Sequence, residues 1–210
     1  MIKAVDFSTF DLPSVLLEES AAAELHAHGS LAAAVLVPVT RWPERPTLTF
    51  TERNADLRKH AGEISFPGGM SDPGDSTLEE TALREAEEEI SLSREDVEVI
   101  GALAPVGTFA TSFRIQPFVG LIEDEQEMVP SPGEVAAILS FSVEELVEAT
   151  KDVVRASGLS SCYIRPIAYY GYGEMGLNTL PCSVDVAIAC WPWGAYLGDD
   201  ALTKGIRLKT

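Results

Sequence analysis

The sequence predicts a mixed α/β fold of the α+β kind, in one domain spanning residues 1–210. Three observations carry this expectation. Segments of strand length recur along the chain, some uniformly apolar and some alternating. Helical patterns stand between and around them, the strongest over residues 76–90. With 210 residues and 46% hydrophobic side chains, the chain can bury a sizeable core without dividing, and no linker or internal repeat interrupts it.

In order along the chain, residues 11–28 read as one helix. Asp11 can cap it, Pro13 suits its first turn, and Val15, Leu16, Leu17, Ala21 and Leu25 make an apolar stripe. LAAAVLVPVT (31–40) predicts a buried strand, and PTLTFTE (46–52) alternates as a half-buried strand does. RWPERP between them reads as a turn. EISF (63–66) is a short strand before Pro67-Gly68-Gly69. In the helix at 76–90, Ser76 and Glu79 have the spacing of a capping box, and Leu78, Ala82, Ala86 and Ile90, with Leu83 beside them, make a core face. Strands follow near 97–103, 115–122 and 135–141. SVEELVEA (142–149) predicts a helix with a second capping box, Ser142 to Glu145. CYIRPIAYYGYG reads as a strand, while PCSVDVAIACWPWGAYL fits either a strand or a buried helix.

The formal charge of −18 argues against nucleic acid or an anionic membrane as the main partner, because binding phosphate-rich surfaces needs clustered Lys and Arg. A small phosphorylated ligand remains compatible if metal ions bring the positive charge. Five of the fifteen basic residues, Arg41, Arg45, Arg53, Arg58 and Lys59, fall close together, which reads either as solubility or as a local anion site. Cys162, Cys182 and Cys190 form no Cys-x-x-Cys pair and suit a reducing cytoplasm. The acidic N-terminus carries no signal-peptide pattern, and no apolar run reaches membrane-spanning length. A cytoplasmic protein, with a homodimer possible, is expected.

Glu85, Glu87, Glu88 and Glu89 crowd the second half of the helix at 76–90. Like charges at helical spacing repel by a few tenths of a kcal/mol per pair. Glu85, Glu88 and Glu89 stand at i, i+3 and i+4 and share one face. Such a run is either a solvated surface or a set of hard oxygen ligands for Mg²⁺ or Mn²⁺. A glycine pair before the helix, an arginine beside the first glutamate and a capped start favour the ligand set. Glu87 is expected to face solvent.

At these residues the chain resembles the Nudix hydrolases. Their signature runs Gly, five residues, Glu, seven residues, then Arg-Glu-apolar-x-Glu-Glu-x-Gly-apolar. Here Gly69 is followed after five residues by Asp75, then after eight by Arg84-Glu85-Ala86-Glu87-Glu88-Glu89-Ile90-Ser91-Leu92. Asp75 replaces Glu, the spacer is one longer, and Ser91 replaces Gly. The preceding segment is similar to the coenzyme A pyrophosphatase branch: TFTER (49–53), Arg58, Gly62, FPGG (66–69), Asp72 and Asp75. That branch shares the longer spacer and the Asp. The resemblance covers roughly residues 31–148; WPWGAYL (191–197) matches the branch's C-terminal helix poorly.

The resemblance implies an α/β/α sandwich, a curved mixed sheet between helices, and Mg²⁺- or Mn²⁺-dependent hydrolysis of coenzyme A or its thioesters. It assigns metal binding to Glu85, Glu88, Glu89 and the Gly69 carbonyl. Arg84 would point away from the metals and pair with a carboxylate such as Asp75. Substrate contacts would come from Arg53, Arg58, Gly68 and Gly69, with the arginines suited to bidentate phosphate recognition. The general base is open among Glu85, Glu88 and Glu134. Phe66 and Pro67 are expected to pack the loop base. The rival expectations are a Nudix hydrolase acting on ADP-ribose, NADH or a nucleoside triphosphate, and a non-catalytic nucleotide-binding module.

Overall fold

The computed structural model describes residues 11–40, 42–55, 57, 62–108, 112–123, 126–170 and 184–192. It opens with two short helices, α1 (Leu12–Val15) and α2 (Glu19–Glu24), followed by strands β1 (Leu31–Thr40), β2 (Thr47–Arg53), β3 (Ile64–Ser65) and β4 (Gly68–Met70). Helix α3 (Leu78–Ile90) leads through a 3₁₀ turn at Arg94–Asp96 into β5 (Val97–Ala102), β6 (Val106–Gly107), β7 (Phe113–Ile122) and β8 (Val135–Ser142). Helix α4 (Val143–Ser157), β9 (Tyr163–Tyr170) and β10 (Val184–Trp191) complete the described elements. The architecture is mixed α+β, with an open mixed sheet and helices packed on it.

Strands β1 and β7 form the centre, parallel and in register from Leu31↔Phe113 to Val39↔Leu121. Both are buried through most of their length, which is why they read as apolar runs rather than alternating ones. On one side β5 and β6 add antiparallel to β7. On the other edge β1 serves two partners. Val39 and Thr40 pair with β2, while Ala33, Ala34 and Val35 pair with β4. Strand β2 carries β3 and β8 with it. Strands β9 and β10 form a separate antiparallel pair.

Period-two alternation sorts the core onto two faces. Ala34, Leu36, Phe118 and Ile122 meet Ala82, Ala86 and Ile90 of α3 in one buried cluster. Val37, Val39 and Val119 form the second, packed against Leu12, Leu16 and Trp42. Leu36 is fully buried, so truncation to Ala would cost about 2–5 kcal/mol.

The single helix expected over 11–28 is two helices. Between them the Leu17 N–H and C=O exchange hydrogen bonds with Ala102, each 2.8 Å, so that backbone serves the sheet edge instead of a helical ladder. Gly101 makes this approach possible: its φ is +146°, and a side chain there would meet the Leu16 Cβ at 2.7 Å. Helix α3 starts one residue later than expected. Its N-cap is Thr77, which accepts from the Glu80 N–H, while the Ser76 N–H donates to the Glu80 carboxylate at 2.6 Å. The capping box on α4 forms as the sequence indicates, and the helix runs on to Gly158, which takes φ +65° as its C-cap. The ambiguous segment 184–191 is a strand. Of the less regular C-terminal expectations, 171–173 and 193–197 lie outside the described residues, as does Cys182.

Candidate active site

The FPGG segment forms the hinge of the site. Gly68 and Gly69 form the start of β4, pressed against β1. A side chain at Gly68 would strike the Ala34 carbonyl oxygen and lie 2.7 Å from the Val35 Cα. A side chain at Gly69 would lie 2.5 Å from the Glu85 carboxyl carbon. The glycine pair therefore lets the strand lie flush on the sheet and lets α3 bring its carboxylates onto the strand.

Glu89 is 2% exposed. Its oxygens accept from the Gly68 N–H and from Arg53 Nη1, each at 3.1 Å. Burial pushes its carboxyl up to about 7; the Gly68 N–H and the Arg53 charge oppose that shift, and Glu85 and Glu134 reinforce it. Burial also raises the Glu85 carboxyl, against the pull of Arg84 and with the push of Glu88 and Glu134. Among the described residues, Arg53 Nε is buried without a hydrogen-bond partner.

Arg84 gathers the acidic groups at the loop. It grips Asp75 with two bonds, Nε to Oδ1 at 3.0 Å and Nη2 to Oδ2 at 3.1 Å. It also donates to the Met70 carbonyl at 3.1 Å and pairs with Glu85 and Glu88, each at 3.0 Å. The Arg84 hydrogen bonds hold the Asp75 carboxyl well below the usual carboxylate range; the Asp72 N–H and Thr81 hydroxyl contribute in the same direction.

A cavity of about 490 Å³ opens beside these groups. Arg53, Glu63, Glu85, Glu89 and Glu134 supply its charge, and Gly68 and Gly69 form part of its wall. Met70, Phe113 and Ile115 belong to its apolar side. Glu134 arrives at the head of β8, where its carbonyl accepts from the Asn54 N–H at 2.7 Å. Glu88 does not line the cavity: it is 59% exposed and rests on Arg84 one turn along the helix. Glu87 faces solvent and meets Arg94 at 3.4 Å.

The structure thus brings Glu85, Glu89, Glu134, Arg53, Gly68 and Gly69 to one cavity and leaves Glu88 on its outer side. Arg53 is engaged with Glu89, and Arg84 touches two of the glutamates instead of pointing wholly away from them. Arg58 lies outside the described residues. Sequence reasoning passed over Glu63 as a cavity wall and gave Phe66 only packing; Phe66 lines the cavity while stacking on Phe50 with ring centroids 4.5 Å apart. Their position on either side of β3, just before the glycine pair, is the signal that could have placed both.

The donor chemistry fits a hard divalent cation. Glu85 and Glu89 of α3 and Glu134 at the head of β8 share one cavity, neighbouring carboxylates add to the rise in proton affinity that burial gives Glu85 and Glu89, and Gly69 leaves the space before Glu85 free of any side chain. Among the described residues, no three acidic, His or Cys side chains are already drawn tightly enough to enclose an ion. The arginines hold them instead.

The NUDIX domain model matches residues 30–160, and the chain belongs to that family. The chain is also similar to proteins named as the uncharacterized Nudix hydrolase NudL. The one from Pectobacterium atrosepticum is 44% identical over 124 residues, 59% of this chain and 64% of that protein. The one from Cronobacter sakazakii is 49% identical over 113 residues, 54% and 58% respectively. The one from Salmonella paratyphi B is 38% identical over 152 residues, 70% and 78%. The chain thus spans about three fifths of the length of the first two relatives. Among solved structures, a C. elegans Ap4A hydrolase aligns at TM-score 0.45 and 15% identity, over 62% of this chain and 88% of that one. No helix among the described residues is long and apolar enough to cross a membrane.

Proposed function

We propose that this chain hydrolyses the diphosphate bond of coenzyme A or its thioesters, giving 3′,5′-ADP and 4′-phosphopantetheine or its acyl form. The observation that carries the reading is the clasp between the Phe66–Gly69 segment and α3: Gly68 donates to Glu89 and Gly69 lies bare against Glu85. That segment, with TFTER, Arg58, Gly62, Asp72 and Asp75, is also what resembles the coenzyme A pyrophosphatase branch.

Enzymes of this family generally use divalent metal ions. Glu85, Glu88, Glu89 and the Gly69 carbonyl would hold Mg²⁺ or Mn²⁺ here. When bound, such an ion screens the diphosphate's charge and makes water more acidic. The chain's own groups do the rest. Arg84 positions the loop by tying Asp75 and the Met70 carbonyl to α3. Arg53 steadies Glu89 and, with Arg58, supplies guanidinium charge for phosphate oxygens. Glu134 stands on the cavity wall, where it can take the proton from the attacking water. The water oxygen bonds to phosphorus as the bridging P–O bond breaks, and the departing phosphate leaves as a monoester.

The test is a substrate panel of coenzyme A, ADP-ribose, NADH and nucleoside triphosphates, with and without Mg²⁺, followed by identification of products. Preferential cleavage of coenzyme A, dependent on the ion, is the expected result. Preference for another member of the panel would replace the coenzyme A assignment, and binding without cleavage of any would make the chain a nucleotide-binding module.

A further inference from the structure

One face of the sheet continues out of the cavity as an apolar row. Met70 of β4 stands opposite Ala33 of β1, Ala33 beside Ile115 of β7, and Ile115 opposite Val106 of β6. Residues paired in this way project from the same face, so these four side chains form one line across four strands. Leu31 and Phe113, paired two residues earlier, extend it by a second row. The face is the one turned away from α3, since the intervening Ala34 belongs to the core beneath that helix. With strands about 4.8 Å apart, the line from β4 to β6 is about 14 Å long.

The outer members of this surface are open: Met70 is 52% exposed, Val106 55% and Leu31 41%. None of the six side chains is charged. Ala33, Met70, Phe113 and Ile115 are themselves walls of the cavity, so the surface is continuous with the site of the diphosphate. Met70 directly follows the glycine that faces Glu85. A group attached to a diphosphate held there would have this row as its next surface.

We propose that this row seats the acylated pantetheine arm of the substrate, leaving the adenosine half on the charged side of the cavity by Arg53. The inference rests on the coenzyme A reading and adds to it which end of the substrate lies where, and that acyl thioesters are held better than free coenzyme A. A second copy of the chain is the competing occupant for such a surface. It is disfavoured by charge, since two molecules at −18 each repel.

Calorimetric binding of the two product halves tests this without relying on turnover. The ligands are 3′,5′-ADP, 4′-phosphopantetheine and S-octanoyl-4′-phosphopantetheine, against the wild-type protein, Val106→Asn and Leu31→Gln. The octanoyl form should bind about tenfold more tightly than the free thiol, as partly covered methylenes on an open shelf would give. Each variant should abolish most of that gain and leave 3′,5′-ADP unchanged. Equal binding of the acylated and free arms, or weakening confined to 3′,5′-ADP, overturns the proposal. So does a wild-type dimer in sedimentation that Val106→Asn converts to monomer. If the acyl effect and its loss in the variants appear while coenzyme A thioesters are not cleaved, the arm's seat stands and the hydrolytic reading falls; cleavage of coenzyme A with no acyl effect gives the reverse.

Discussion

A methyl group placed on Gly69 would lie 2.5 Å from the carboxyl carbon of Glu85. The contact is with the end of a flexible side chain, so it can be relieved by moving that carboxylate. At Gly68 the obstruction is the backbone of Ala34 and Val35, which cannot move without parting β4 from β1.

The two glycines should therefore fail in different ways. Gly69→Ala is expected to keep its fold, with stability changed by less than about 1 kcal/mol, while kcat/KM falls at least tenfold because Glu85 is displaced. Gly68→Ala is expected to lose about 1–3 kcal/mol of stability, as overpacking does. Urea unfolding of both variants, run beside a turnover assay, checks the pair.

Glu88 offers a separation of another kind. Among the described residues its partner is Arg84, in an exposed i,i+4 pair of the kind that contributes about 0.3–0.5 kcal/mol. Glu88→Gln should leave stability within about 0.5 kcal/mol of wild type. If Glu88 helps hold the cation, the same change should lower kcat by orders of magnitude. Unchanged turnover would reduce Glu88 to a surface partner of Arg84.

The pH dependence of stability should have two limbs of opposite sign. Burial lifts Glu89 from an ordinary 4.5 to about 7 in the folded chain. The folded protein holds that proton more tightly than the unfolded one, so Glu89 subtracts stability as pH rises from about 4.5 to about 7. Asp75 is depressed, so its contribution is present above the ordinary 3.8 and disappears as pH falls below it. Thermal melts in chelator across this range should show the first limb flatten in Glu89→Gln and the second in Asp75→Asn. A proton and a cation compete for the Glu89 oxygens, so Mn²⁺ affinity should weaken as pH drops below about 7.

Arg84 should resist replacement by lysine. Its fork grips both Asp75 oxygens and reaches Met70, Glu85 and Glu88, geometry that a single ammonium cannot reproduce. Arg84→Lys is expected to lose about 1–3 kcal/mol in urea unfolding and to raise the acid midpoint of the Asp75 limb. Retention of the wild-type acid limb would mean that Asp75 does not depend on the guanidinium.

Most of this arrangement was legible in one dimension because its parts are local. The core face of α3, its glutamates and the Ser142–Glu145 cap depend on spacings within a few residues, and β1 announced its double burial by an unbroken apolar run. What the sequence concealed depends on remote partners. Leu16 and Leu17 continue a helical stripe, yet Ala102, far along the chain, claims the Leu17 backbone. Ser76 and Thr77 are equally good caps, and Glu80 decides for Thr77 by binding the Ser76 N–H. The split of the glutamates, with Glu89 buried and Glu88 outside, follows from where β4 and Arg53 lie against α3. Ser91 takes the left-handed φ of 57° at the end of α3, the conformation for which glycine is the usual residue, and its hydroxyl donates to the Val129 carbonyl at 3.2 Å.

The most direct measurement is mass-spectrometric analysis of coenzyme A incubated with Mg²⁺ and either the wild-type protein or Glu85→Gln/Glu89→Gln. The wild type should yield 3′,5′-ADP and 4′-phosphopantetheine in equal amounts, and the double variant, still folded, should yield neither at a comparable rate. Intact coenzyme A with the wild type, or the same products at the same rate from the variant, would contradict the account.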